Sequence, residues 1–464
     1  MQKTKNIFLT GATGTMGFEG LKRLLNDTNY KITLLVKKDK KNVKKLKPFK
    51  NNDRVRIIWG DLREYEKVLE CVTGADYVLH VGGMVSPRAD KYPEETMDVN
   101  INSIENIVEA IKNQPDPDKI KLVYIGSVAQ IGHRDAPNHF GSPKDVMNPA
   151  QFDHYAVSKI MAERVVAESG LKYWVSLRQS GILYPDLVKK GINPITFHVP
   201  LEGVLEWATV EDSGNLLVKI CDDNVPDEFW KNFYDISSGR AYRLTNYEFE
   251  CELMEAIHCP PPEKIFETNW FALSNFHGCW YMDADRLEDY LHFRLNTPRD
   301  EYFKHIQKSV PWYFKLVKIV PAGVIKWFMK RIAHSKGTGT MDWIKNNNEE
   351  KISAYFGSKE NWENIPSWDK LNKTRPTEVC PNINYGECFS KPQNEWDIND
   401  MRLAAQLRGG KCLSEDMIKG DLDTKLVWEN SSHEQFYASP RYVLFGGYFP
   451  DHRLIEEDKK FYRE

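Results

Sequence analysis

The chain has 464 residues, 41% apolar and 28% charged, with 63 Lys and Arg against 66 Asp and Glu, a net charge of -3 and a pI of about 6.5. That length points to two or three domains. The near balance of charge excludes a whole-molecule nucleic-acid footprint, which needs a basic excess to displace counterions from phosphate.

Eight cysteines are scattered with no C-x-x-C pair or His-x-His cluster, so no metal site is expected, and Cys380 and Cys388 read as free thiols. The start, MQKTKNIFLTGATG, has no apolar stretch before a cleavage site, and no run is long enough to span a bilayer. A reduced, cytoplasmic protein is expected.

The first third alternates short β-branched runs with amphipathic stretches. NIFLTG is followed by MGFEGLKRLLND, KITLLV by VRIIWGD, and EYEKVLECV leads to DYVLHVGG. The long stretch TMDVNINSIENIVEAIKN then runs into KIKLVYIGS, a further helix and YWVSLR. Continuous apolar strands between helices mean strands buried on both faces. The fold class is therefore α/β, a doubly wound parallel sheet of the Rossmann kind. Three regions are expected: a dinucleotide-binding core over 1–178, a smaller substrate lobe with returning core segments over 179–308, and a C-terminal extension over 309–464 able to fold independently.

TGATGTMG places Gly11, Thr13, Gly14, Thr15, Met16 and Gly17 between the first strand and the first helix. Glycines there allow a tight turn, close approach to a pyrophosphate and close helix–strand packing, with free N–H groups facing phosphate. At the end of the second strand an acid would bind the ribose 2′-hydroxyl of NAD, and a cation would accept the 2′-phosphate of NADP. Lys37 and Lys38 stand there, with Asp39 a little late. NADP is the preferred cofactor, and Asp39 keeps NAD open. A solvated lysine-rich face is the competing reading of this run.

Ser127 closes the strand LVYIGS, at the carboxyl edge that borders the ligand crevice, and Tyr155 and Lys159 follow one helical turn apart in YAVSK. A phenol with an ordinary pKa near 10 is a poor acid or base at neutral pH. A neighbouring ammonium lowers that pKa toward the working range. Ser127, Tyr155 and Lys159 therefore form the expected catalytic set, the serine orienting a substrate oxygen and the phenol moving the proton as hydride passes between carbon and nicotinamide. Pocket walls are expected from 84–92, 128–152 and 181–207.

Together TGATGTMG, GDL at 60–62, HVGG at 80–83, DVN at 98–100, GSVAQIG, YAVSK, LRQSGILYP and SGRAYRL resemble the extended short-chain dehydrogenase/reductases, the NAD-dependent epimerase/dehydratase superfamily, over residues 5–305. The resemblance implies that Asp61 and Leu62 flank the adenine and that His80, Val81, Gly82 and Asn100 line the cofactor. Val128 and Ala129 stand where a sugar dehydratase would hold an acid/base pair, which counts against dehydration. The preferred function is an NAD(P)-dependent oxidoreductase interconverting a carbonyl and a secondary alcohol, as in the hydroxysteroid dehydrogenase and dihydroflavonol reductase branches. A nucleotide-sugar epimerase with tightly bound NAD is the alternative, and a non-catalytic dinucleotide sensor is disfavoured by the intact serine, tyrosine and lysine. The expected partner is a small carbonyl or alcohol substrate, a homodimer is allowed, and no nucleic acid is expected.

The tail opens with VPWYFKLVKIVPAGVIKWFMKRIAHSK, where Trp312, Leu316, Ile319, Val320, Val324, Trp327 and Phe328 recur at helical spacing among lysines. The preferred reading is a docking face against the core or a twin subunit. Peripheral membrane contact through 310–336 is the less favoured one. GTGT at 337–340 reads as a linker, and the aromatic-rich stretch around FYASPRYVLFGGYF is expected to pack on the core. His277, His433 and His452 read as isolated surface or capping residues.

Overall fold

The structure, a computed structural model, describes residues 4–385 and 391–448. Cys388 and His452 lie outside the described residues. The first half alternates β1 (Asn6–Thr10), α1 (Thr15–Asp27), β2 (Lys31–Val36), α2 (Lys40–Leu46), β3 (Val55–Trp59), α3 (Tyr65–Val72), β4 (Tyr77–His80), α4 (Pro93–Lys112), β5 (Lys121–Ser127), α5 (His154–Ala167) and β6 (Trp174–Gln179). After α6 (Val210–Lys219) the chain returns to the sheet as β7 (Asn232–Ile236).

The seven strands lie in the order β7–β6–β5–β4–β1–β2–β3, and every pair is parallel. Every residue of β4 and β6 is buried, as strands covered on both faces require. The order reverses between β1 and β4, which opens a crevice at their carboxyl ends. One face is covered by α1 and α6, where Leu217 occupies the space a side chain at Gly20 would fill. The other face is covered by α3, α4 and α5.

The C-terminal third is not a body of its own. Part of it, including α8 (Ala322–Ala333) and α9 (Glu349–Phe356), joins the lobe around Phe197, Phe266 and Phe271 in one apolar cluster with Ile325, Met329 and Phe356. The later part reaches the sheet: Met401, Ala404, Trp428 and Tyr442 share a core with Ile160, Trp174 and Phe233. The buried pair Arg178–Glu163 ties the two together, because Arg178 Nη2 bonds Glu163 at 2.7 Å and the Phe445 carbonyl at 2.9 Å. The polar turns that suggested a separate unit are the surface of these segments; their aromatic residues are the buried side.

A candidate active site at the carboxyl edge of the sheet

The glycine loop follows β1 directly. Gly11 has φ of +68°, and a Cβ on it would stand 2.7 Å from the Gly82 nitrogen, so loop and β4 end approach as only glycine permits. A Cβ on Gly17 would strike the Gly11 carbonyl. This close cradle at the start of a thirteen-residue helix without acids in its first turn fits a dinucleotide pyrophosphate. Met16 is 4% exposed and faces the core, so it can offer such a ligand only backbone.

Around the end of β2 the charges are arranged differently from the sequence reading. Lys37 pairs with Asp61 at 2.9 Å, and Arg63 grips the same carboxylate at 2.8 Å. Burial would raise the Asp61 pKa, but hydrogen bonds from Arg63 and Lys37 hold it well below the usual carboxylate range. Asp39 turns onto its own helix and accepts from the Asn42 N–H at 2.8 Å. Lys38 is exposed. Lys45, read from sequence as part of a solvated face, bends back and donates to the Thr13 carbonyl at 3.0 Å.

Two residues expected to line the cofactor are held in the scaffold. His80 is 1% exposed, with Nδ1 2.9 Å from Thr10 Oγ1 and Nε2 3.4 Å from Ser103 Oγ. Burial, helped by the Lys159 charge, lowers its pKa to about 3, so the ring is neutral. Thr10 also accepts from the Gly82 N–H at 2.8 Å, which fixes the segment opposite the glycine loop. Asn100 accepts from the Met84 N–H at 2.7 Å and donates to Ser158 Oγ at 2.8 Å, clamping that segment to α5. Leu62 approaches Gly82, within 3.3 Å of where its Cβ would be, while Val81 is half-buried.

Ser127, Tyr155 and Lys159 come together as the sequence suggests, but their electrostatics differ. Ser127 ends β5 at 6% exposure, its Oγ accepts from the Ala129 N–H at 3.2 Å, and its hydroxyl acts to lower the pKa of the Tyr155 phenol. Asp153 caps α5 by accepting from the Ala156 N–H at 2.8 Å, which sets Tyr155 in the first turn. Lys159, one turn on, donates from Nζ to the Ile125 carbonyl at 2.8 Å. Burial pushes the phenol up to about 12, with Ser127 opposing, and burial lowers Lys159 to about 8. The expected pull of the ammonium on the phenol is therefore not what sets its pKa here; the cation is engaged by a backbone carbonyl.

A cavity of about 290 Å³ lies in the lobe; none of Ser127, Tyr155 and Lys159 is among its described lining residues. Leu187, Val188 and Ile192 line it, with Trp207 stacked on Phe249 at 4.5 Å, and α7 (Asn246–Ala256) forms one wall. Two of the three expected wall segments contribute. The third wall, α7 with Phe276, His277 and Gly278, was not foreseen. His277 links the cavity to the start of α5 through Asp153 at 3.0 Å, so it is not isolated. Arg134 lines the cavity but pairs with Asp145 at 2.9 Å.

The unforeseen residue is Glu250. It lines the cavity at 4% exposure, and its Oε2 has no hydrogen-bond partner among the described residues. Burial alone pushes its carboxyl up to about 8, so it is largely neutral at pH 7 and able to donate a hydrogen bond. Its sequence signal is its place beside Phe249 and four residues before Met254, on the buried stripe of α7. Lys351 of α9 also reaches the site, with Nζ 3.4 Å from the centre of the Phe152 ring.

Residues 7–181 match the model of the NAD dependent epimerase/dehydratase family. UDP-glucose 4-epimerase of Rickettsia felis is 29% identical over 113 residues, 24% of this chain and 33% of that protein. The Rickettsia bellii enzyme of the same description is 31% identical over 110 residues, 23% and 32% of the two chains. The chain thus matches about a third of the length of these relatives. Among solved structures, dTDP-glucose 4,6-dehydratase from Bacillus anthracis in complex with NAD has a TM-score of 0.53 at 16% identity, covering 67% of this chain and 97% of that one. UDP-glucuronic acid 4-epimerase from Bacillus cereus in complex with NAD has 0.51 at 15%, covering 68% and 99%. The structural likeness establishes the shared fold, and the match to the NAD dependent epimerase/dehydratase family model is confined to residues 7–181.

Proposed function

We propose that this chain is a dinucleotide-dependent enzyme acting at a secondary alcohol or its carbonyl, with the Tyr155 phenol as acid and base. The observation that carries the reading is Ser127 at the carboxyl edge of β5 beside the Tyr155 phenol, with Lys159 one turn behind and bonded to the Ile125 carbonyl. A bound dinucleotide would accept or return hydride. Ser127 would hold the reacting oxygen beside the phenol, and Tyr155 would move the proton. Lys159, released from the Ile125 carbonyl, would take the nicotinamide ribose and bring its charge to the phenol.

The epimerase relatives support the form in which NAD is retained and hydride returns to the same carbon, inverting it. A second reading, net oxidoreduction of an apolar substrate, is favoured by the lining of the cavity. Among the described residues that line it, its one arginine is already paired and there is no lysine. The exposed Lys38, with Lys45 beside the glycine loop, supports NADP, whereas the NAD in the solved neighbours supports NAD. The deciding experiment combines analysis of nucleotide released from purified protein with turnover on UDP-sugars and on apolar ketones. Retained NAD and sugar interconversion without net NAD(P)H change establish the epimerase form. Stoichiometric NADPH consumption on ketones establishes the reductase form, and no turnover on either panel overturns the proposal.

A further inference from the structure

The segment 312–328 exposes apolar side chains to an unusual degree. Trp312 is 74% exposed, Ile319 80% and Phe328 56%, with Tyr313, Leu316 and Trp327 each at half or more. Apart from Val320, the stripe read from the sequence is therefore turned away from the core. The cause is helical period. Trp312–Ile319 is a 3₁₀ helix, whose three-residue repeat directs Phe314 and Val317 inward, followed by Val320. In α8 the inward face is Ile325, Met329 and Ala333. Core packing is satisfied by these residues, and the outward set is left over.

We propose that this outward face docks on an anionic membrane surface. Between Tyr302 and Met341 there are eight Lys and Arg and no Asp or Glu, in a chain whose net charge is -3. Lys315, Lys318, Lys330 and Arg331 are exposed beside the apolar face, and the Arg331 guanidinium lies 5.0 Å from the centre of the Trp327 ring. Aromatic and aliphatic side chains mixed with cations are what an interfacial helix presents to headgroups and acyl chains. A second copy fits less well, because a two-fold contact through this face would set cation against cation. Single-stranded nucleic acid would use the aromatic rings but leaves Leu316, Ile319 and Val324 without a role. The same apolar cluster holds Val188 and Ile192, which line the cavity, so docking would bring the substrate lobe to the bilayer. The inference stands independently of the reaction proposed above.

The test is flotation of the full chain with vesicles of phosphatidylcholine plus phosphatidylglycerol, and of phosphatidylcholine alone. Binding to the anionic vesicles is expected, weaker at high salt and weaker on the neutral ones. The double variant Trp327→Ser/Phe328→Ser should bind about tenfold less or worse. Its melting temperature should be unchanged, because both side chains are exposed. No flotation, equal binding to both vesicles, or undiminished binding by the variant overturns the proposal. So does light scattering that shows a dimer lost in the variant without flotation, or binding to single-stranded RNA in place of vesicles.

Discussion

Replacing Glu250 by Gln removes an ionisation while keeping the shape of the side chain. In the folded protein burial raises this carboxyl to about 8 from an ordinary value of 4.5. A raised pKa means that the native state binds more protons than the unfolded chain between those values. Stability from this group is thus complete below about 4.5 and is lost as pH rises through about 8. The slope of the loss is about 1.4 kcal/mol per pH unit, accumulating to a few kcal/mol. Gln cannot ionise, so the variant lacks this slope. A buried amide without partners adds a penalty of about 1–3 kcal/mol, but one independent of pH. Urea unfolding of both proteins at several pH values from 5 to 8 isolates the difference. The variant should gain on the parent steadily with pH, whatever its offset. Parallel curves across that range would mean that Glu250 is solvated or partnered, and the neutral carboxyl in the cavity would have to be abandoned.

Tyr155→Phe should retain dinucleotide affinity, measured by fluorescence titration, and lose turnover by about 10²–10⁴-fold, the usual worth of a positioned acid or base; unimpaired kcat would remove the phenol from the mechanism. Lys38→Ala/Lys45→Ala should raise KM for NADPH far more than for NADH; an equal effect on both would show that these lysines do not read the 2′ position. Glu163→Ala strands the Arg178 guanidinium, 0% exposed, and should cost about 3–5 kcal/mol in urea unfolding, since a buried charge loses its partner. A loss below about 1 kcal/mol would show that Arg178 finds compensation elsewhere.

How far the sequence could be read depended on whether a feature is local. The glycine loop, the strand–helix alternation and the one-turn spacing of Tyr155 and Lys159 follow from short-range rules, so their places were legible. Glu250 was missed because its charge suggested a surface residue, although its position on the apolar stripe of α7 was countable. His80 and Asn100, expected to line the cofactor, have side chains that bond Thr10, Ser103, Met84 and Ser158. Trp312–Ile319 was misassigned because an α-helical period was assumed where the segment is 3₁₀.

By itself the amino-acid order determined the doubly wound sheet and the tight glycine turn after its first strand, because strand burial, glycine conformation and helical spacing act over a few residues. Only the tertiary structure decided which charges remain available. Lys37 meets Asp61 from another strand's end, Lys159 meets the Ile125 carbonyl, and Arg134 meets Asp145. It also decided that the last third of the chain packs on the lobe around Phe197 and Phe266 and turns a tryptophan-rich face outward. Ionisation and exposure depend on neighbours far apart in sequence, and those distances exist only once the chain has folded.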